Sequence, residues 1–577
     1  MSTTLPGWAT EMRDLFRSGS VAQFLLHGNV FDAVRVADPA GDRLVPLRTF
    51  LDEVMFAGWD VVLHYDRSRG IRAIRGGEDF GRWLEQALGD AAGDLGRTSD
   101  PAAALELIDR YLLRTLNLQR LSPDDGSVPR RIAVVMEFAE FVVPRGDALA
   151  LGGGFGANVV KVLSWANDPE ILHSSIATVL VTEGLHDLAE PVVENPHVAA
   201  LRIPLPDEGE MAAYLRTLIA TELPDLEQGC DLPLDTVARR LTGLSRAGAR
   251  TALNVASKNG RRITAEWLTA KKKELIEREC QGLLEFLESP FTLDHLAGND
   301  AIKAWLRDDA TLLRRGAFHA LPMGYLIAGR IGTGKTFLVQ CWAGELGIPC
   351  VVLKNFRDRW VGATESNLER IFGVLRALGQ VVVFVDEADQ ATGRREGGTS
   401  DSGLSGRVYS MLAKEMSDTR NRGRILWVFA TSRPDLVEVD LKRQGRLDVH
   451  IPLFTPETRE EVVALLLAIA KKLRVPLGAA DIPELPEEVL LGPSEIEGAL
   501  VRALRIFELA AEPRPPMREI LARVLGEVRP SAHGRRLEYM DLVAVKECTD
   551  AQFLPARFRA MTLEQIEARI DELRPFV

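Results

Sequence analysis

The octapeptide Gly329-Arg-Ile-Gly-Thr-Gly-Lys335-Thr336 constrains this chain more than any other stretch. It lies between an apolar run, Tyr325–Ala328, and an amphipathic one, GKTFLVQCWAGEL. A strand, a glycine loop and a helix in that order let successive backbone N–H groups converge on one anion. The helix aims the positive end of its dipole at the same point. The expected phosphate site is therefore Gly329, Gly332, Thr333, Gly334, Lys335, Thr336 and Phe337. In it Lys335 reaches the β- and γ-phosphates and the Thr336 hydroxyl binds Mg²⁺.

Further apolar runs follow at Cys350–Leu353, Val381–Val385 and Ile425–Ala430, separated by amphipathic helices. Buried parallel strands alternating with helices predict an α/β sheet. The Val381–Val385 run ends in Asp386-Glu387. Taken alone, such an acidic pair reads as the N-terminal charge of a helix. Beside the glycine loop, Asp386 falls near the metal and Glu387 is placed to polarise an attacking water. After Pro456 the chain reads as mostly helical, and Glu288–Asp300 carries the turn residues of a linker.

At 577 residues the chain exceeds what one hydrophobic core supports. It also shows a duplication. IAVVMEFAE (132–140) lies 249 positions before VVVFVDEAD (381–389), and IATVLVTEG (176–184) lies 249 before ILWVFATSR (425–433). AALRIPL (199–205) lies 248 before LDVHIPL (447–453). Two copies of one fold are expected, against the plainer reading of two unrelated α/β domains with similar buried strands. The first copy lacks the chemistry: Glu387 maps to Phe138, Asp386 to Glu137 and Asp389 to Glu140. The constant offset puts the glycine loop at 80–87, FGRWLEQA, and the nearest strand-then-glycine stretch is VVLHYDRSRGI (61–71); neither holds G-K-[ST]. GGGFG (152–156), not followed by Lys, reads as a flexible loop.

The net charge of -12 disfavours non-specific nucleic-acid binding. Five cysteines without a C-x-x-C pair argue against a disulfide framework or a zinc site. No signal pattern and no apolar run near the ~20 residues of a membrane span are present, so a soluble, cytoplasmic protein is expected.

From about Phe291 to Ala511 the chain resembles AAA proteins of the group containing katanin, spastin and FtsH. The segment ATSRPDLVEVDLKRQGRLDVHIPL (430–453) is similar to that family's A-T-N-R-P-D … R-x-x-G-R-[FL]-D stretch. The resemblance implies that Arg443 and Arg446 are arginine fingers serving a neighbouring subunit. It makes Trp360-Val361-Gly362 a pore loop gripping an extended polypeptide, and LGPSEIEGALVRAL (491–504) the helical lid. Two departures stand out. Ser432 replaces the family's water-orienting Asn, which implies slower hydrolysis, and Pro493 replaces a Gly, with Gly492 one place earlier. No H-E-x-x-H occurs, so the FtsH zinc protease activity is excluded. The whole chain also resembles the chloroplast-encoded hypothetical ATPases, in which a degenerate N-terminal module precedes an active one.

These likenesses set the expectations. The fold is α/β, with tandem AAA+ (P-loop NTPase) modules: a degenerate domain over 1–275, a linker over 276–298, an ATPase core over 299–457 and a lid with a C-terminal helical region over 458–577. Bound to ATP and Mg²⁺, subunits assemble into a ring, with a hexamer the expected size, and remodel a protein substrate. No membrane partner is expected. A nucleotide-dependent assembly switch and, less favoured, a nucleic-acid motor using Arg357 and Arg359 stay open.

Overall fold

The computed structural model describes residues 5–36, 43–89, 92, 98–121, 126, 131–146, 153–226, 228–280, 282–354, 364–389, 402–475, 477–484, 491–511, 513–528 and 533–577. Trp360, Val361 and Gly362 lie outside them, as do Arg357 and Arg359. Two compact units emerge, residues 1–276 with 363–377 and residues 277–362 with 378–577.

In the first unit, β1 (Gln23–Gly28) leads into a hairpin of β2 (Ala33–Val36) and β3 (Arg43–Pro46). Then come β4 (Val61–Asp66), β5 (Gly70–Arg75), β6 (Arg131–Glu137), β7 (Ser175–Val181) and β8 (Val198–Ile203). The sheet runs β5-β4-β6-β7-β1-β8, with β5 alone antiparallel. Alternation along β6 explains its near-continuous apolar sequence. Ile132, Val134 and Met136 enter the core on one face, and Ala133 and Val135 enter the core on the other.

The second unit holds β9 (Leu284–Phe286), β10 (Gly324–Ala328), β11 (Cys350–Leu353), β12 (Val381–Val385), β13 (Ile425–Thr431) and β14 (Val449–Pro452). Its order is β14-β10-β13-β12-β11-β9, with β9 antiparallel. Residues 276–298, expected as a linker, thus contribute an edge strand, and Leu293 is fully buried. The region after 458 divides in two. Helices Arg459–Lys472, Pro493–Leu509 and Met517–Gly526 share one core, and Gly534–Glu547 and Leu563–Leu573 share another.

The five parallel strands have the same order in both units. Ile132 pairs with Ile176 as Val381 pairs with Ile425, so the 249-residue offset holds for β6/β12 and β7/β13. It fails for the glycine loop. The counterpart of β10 is β1, because Leu25 faces Leu180 as Leu326 faces Phe429. The loop position is therefore Gly28–Asp32. Residues 80–87 lie in the helix Gly77–Leu88, and 61–71 run along β4 and through its turn into β5. The β2–β3 hairpin, and β5 with a second helix in the β4–β6 crossing, are extra chain that shifts the register. Gly153 to Gly156 of GGGFG are no loop either, since a helix runs over Gly153–Asn167.

At that loop position the first unit supplies its own anion. Asp32 is 4% exposed, and its carboxylate accepts the backbone N–H of Arg246 (2.8 Å) and Ala247 (3.0 Å) where the helix Arg246–Lys258 begins. The Arg246 guanidinium lies 3.7 Å away. Replacing Asp32 with Ala leaves Arg246 buried without that counter-charge. Glu210 stays 3.4 Å from the same guanidinium, so the first unit should lose about 2–3 kcal/mol, read by urea unfolding together with faster hydrogen exchange over 246–258. Unchanged exchange there would show that the pair holds nothing in place.

Candidate nucleotide site

The end of β10 is pinned between its neighbours. Leu453 N–H donates to the Ala328 carbonyl at 2.7 Å, and a Cβ on Gly329 would stand 2.3 Å from the Leu453 carbonyl oxygen. Only a residue without a side chain passes there, at φ +150°. Gly332 (φ +85°) meets a second limit, since its Cβ would stand 2.8 Å from Ser494 Oγ. The loop then enters the helix Lys335–Leu346 through Gly334 in a left-handed turn.

Around this loop the structure brings together most residues the sequence singled out. Thr336 Oγ1 donates to Asp386 Oδ2 at 2.8 Å. Two oxygen donors at that spacing suit a hard divalent cation such as Mg²⁺. Lys335 Nζ donates to the carbonyls of Gly329 (2.8 Å) and Arg330 (3.0 Å) and to Ser432 Oγ (3.0 Å). Burial pushes its pKa down to about 8, against the pull of Asp386, Asp389 and Asp541. Glu387 is exposed, with its backbone at φ 49°. Asp389 accepts from Thr431 Oγ1 at 2.6 Å, which ties the turn after β12 to the end of β13.

A cavity of about 500 Å³ opens beside the loop. Gly332, Thr333, Gly334 and Phe337 form one wall, and Ile469 and Lys472 of the lid form another. Lys472 Nζ lies 4.9 Å over the Phe337 ring. Despite Pro493 and Gly492, the lid helix opens against the loop, with Ser494 Oγ donating to the Gly332 carbonyl at 3.3 Å. Arg443 and Arg446 do not line this cavity. Arg443 keeps 70% of its side chain exposed and pairs with Asp440 at 3.2 Å. Arg446 donates to Ser417 Oγ at 3.0 Å and to the Asp440 carbonyl at 2.5 Å. Sequence reasoning singled out neither Lys472 nor the wall of Gln552 to Ala556 and Arg559, nor Arg330, whose side chain donates to Thr455 on that cavity, because nothing local marks them.

The corresponding place in the first unit has the same backbone and other side chains. Phe138 stands at φ 56°, as Glu387 stands at φ 49°. Its ring is 44% exposed and meets Phe31 at 5.4 Å between centroids. Glu137 faces guanidinium groups, Arg72 at 3.4 Å and Arg48 at 3.9 Å. Gly28 (φ +93°) repeats the squeeze of Gly329, since its Cβ would stand 2.8 Å from the Ile203 carbonyl oxygen.

Three families match the chain. Residues 325–454 match the ATPase family associated with various cellular activities (AAA). Residues 2–204 match the AAA+ chaperone N-terminal Rossmann-like domain, and residues 211–281 match the AAA+ chaperone second helical domain. The fold is thus α/β with tandem AAA+ modules, the second followed by a helical lid and a C-terminal helical region. Among curated relatives, the ATP-dependent zinc metalloprotease FtsH 2 of Symbiobacterium thermophilum is 33% identical over 188 residues, 30% of this chain and 32% of that protein. FtsH 1 of Salinibacter ruber is 30% identical over 220 residues, 37% of this chain and 28% of the relative. The cell division cycle protein 48 homolog of Archaeoglobus fulgidus is 34% identical over 143 residues, 24% of this chain and 19% of the relative. The chain therefore spans about a third or less of the length of these relatives. Among the described residues no group of three or more His, Cys, Asp or Glu could hold a metal ion, and no helix is long and apolar enough to cross a membrane.

The depressed Lys335 pKa makes a proton-linked prediction. A polyphosphate beside Lys335 favours its charged form, so binding at pH 9 should take up a proton, whereas below about pH 8 Lys335 is already charged and uptake vanishes. MgATP affinity should weaken as pH rises through 8, with calorimetry in buffers of different ionisation heat reading the proton. Equal affinity at pH 7 and pH 9.5 would count against Lys335 as a phosphate ligand.

Proposed function

We propose that this chain is an ATP-hydrolysing AAA+ ATPase that assembles into a ring, expected as a hexamer, and remodels or disassembles a protein substrate. The observation that carries this reading is the Thr336–Asp386 pair at 2.8 Å, which brings the turn after β12, with Glu387, against the glycine loop and Lys335. Backbone N–H groups of Gly332 to Lys335 and the Lys335 ammonium hold the β- and γ-phosphates. Thr336 and Asp386 would hold Mg²⁺, which when bound neutralises phosphate charge as the γ-phosphoryl group leaves. Glu387 accepts the proton of the attacking water. Lys472 and Phe337 close the lid side of the pocket, toward the base.

Arg443 keeps 70% of its side chain exposed, and Arg446 lies half-buried beside it. An exposed guanidinium suits one that completes a neighbour's site, so turnover requires assembly. Residues 1–275 form a module without hydrolysis, in which Phe138 replaces the acid and Asp32 the anion, and which selects the partner. Trp360, Val361 and Gly362 grip the substrate. The Lys335–Ser432 bond favours a second reading, a slowly hydrolysing assembly switch, because Ser432 is engaged by Lys335 where a free side chain would orient water.

Glu387→Gln should retain MgATP binding, lose at least about a hundredfold in turnover and trap the assembled ring. The trans site has its own check. Lys335→Ala and Arg443→Ala/Arg446→Ala chains should each be inactive alone, and mixing them should restore part of the turnover. If no mixing ratio restores activity, the site is complete within one chain.

A further inference from the structure

The helix Gly534–Glu547 lies beyond all three matched stretches, the last of which ends at residue 454, yet it touches three parts of the candidate nucleotide site. Asp541, 5% exposed, places Oδ2 3.7 Å from Nη1 of Arg330, the second residue of the glycine loop. Arg330 also donates to Thr455 Oγ1 on the cavity wall. Tyr539 OH donates to Asp435 Oδ2 at 3.1 Å, and Arg433, next to Ser432, stacks over the Tyr539 ring at 5.1 Å. At the helix end, Glu547 Oε1 accepts from Lys442 Nζ at 2.5 Å. Lys442 precedes Arg443 and also donates to the Pro434 carbonyl at 3.0 Å. Just downstream, Gln552 to Ala556 and Arg559 line the cavity itself, and Phe553 is buried in the sheet's core.

We propose that this C-terminal helix is a working part of the nucleotide site, with Asp541 a positioning residue that sets the glycine loop through Arg330. The proposal rests on the reading of the cavity as an ATP site. Arg330 supplies the carbonyl that Lys335 and Thr333 use, so the place of its side chain fixes a peptide of the cradle. The helix then links that cradle, through Glu547 and Lys442, to the turn carrying Arg443. One rigid element joins the phosphate end of a site to the arginines offered to the next.

The charges facing Asp541 give a distinct readout. Burial pushes its carboxyl up to about 6, Arg330, Arg557 and Lys335 hold it down, and Glu538 pushes it up. It is ionised at pH 7.5 and takes a proton as pH falls through 6, which removes the counter-charge of Arg330. The test measures steady-state ATPase kinetics and MgATP binding of full-length wild type, Asp541→Asn, Arg330→Gln and the double variant between pH 5.5 and 8. Each single variant should raise KM for MgATP about tenfold with kcat within about twofold, and the double variant should be no worse than either. Wild-type KM should climb as pH drops through 6, and the variants should lose that step. Should Asp541→Asn not fold, Arg330→Gln carries the test, since it must lose the same step. A wild-type KM and pH profile in Asp541→Asn, or additive effects in the double variant, would overturn the proposal. A wild type that binds no MgATP would sink the ATP site and this inference together, whereas normal wild-type binding with unaffected variants sinks this inference alone.

Discussion

The squeeze at the end of β10 governs the rest of the second unit. With the Leu453 carbonyl pressed against Gly329, the chain has one way out of the sheet, over the strand ends and into the helix at Lys335. That exit lays the loop over the carboxyl edge of the sheet. The same edge is where β12 delivers Asp386 and Glu387 and where β13 delivers Ser432. Thr336 and Asp386 meet because β10 and β12 both flank β13, not because either side chain searches for the other. Widening that gap by one methyl group would displace a phosphate cradle whose members are far apart in sequence.

Much of this was legible because buried parallel strands are apolar on both faces and end in polar turns. The duplication could be read at β6/β12 and β7/β13, where the offset and the pairing agree. It misled at β8/β14. The shared Ile-Pro-Leu aligns Ile203 with Ile451, but Ile203 presses on Gly28 as Leu453 presses on Gly329. The slip is two residues, and a slip of two keeps every side chain on its own face, so an apolar pattern cannot detect it. The β2–β3 hairpin hid the counterpart of the glycine loop in another way. It adds chain without altering the sheet, and a constant offset has no means of absorbing it.

The grouping of the candidate site was legible wherever its residues are contiguous with a strand end or helix start: Gly329 to Phe337, Asp386 and Glu387, and Ser432. It was illegible where the wall is built by tertiary packing. Lys472 over Phe337 and Asp541 beside Arg330 are ordinary charged residues on amphipathic helices, and their partners lie more than a hundred positions away. Asp32 belongs with these. In sequence it is a polar residue in a short loop, and only the arrival of the helix Arg246–Lys258 gives its carboxylate two N–H groups to accept.

Phe138 carries a consequence of its own. A bulky residue in the left-handed region costs roughly 1–3 kcal/mol, a cost usually borne where a reactive group must be aimed. The first unit makes the same bend with no ionisable group on it, Phe138 standing at φ 56° and Glu387 at φ 49°. The bend is thus a property of how a buried strand leaves this sheet, and chemistry was fitted to a shape that exists without it. Such a turn keeps its shape whatever side chain it carries. In the first unit it holds a hydrophobic knob, 44% exposed, where the second unit holds a carboxylate.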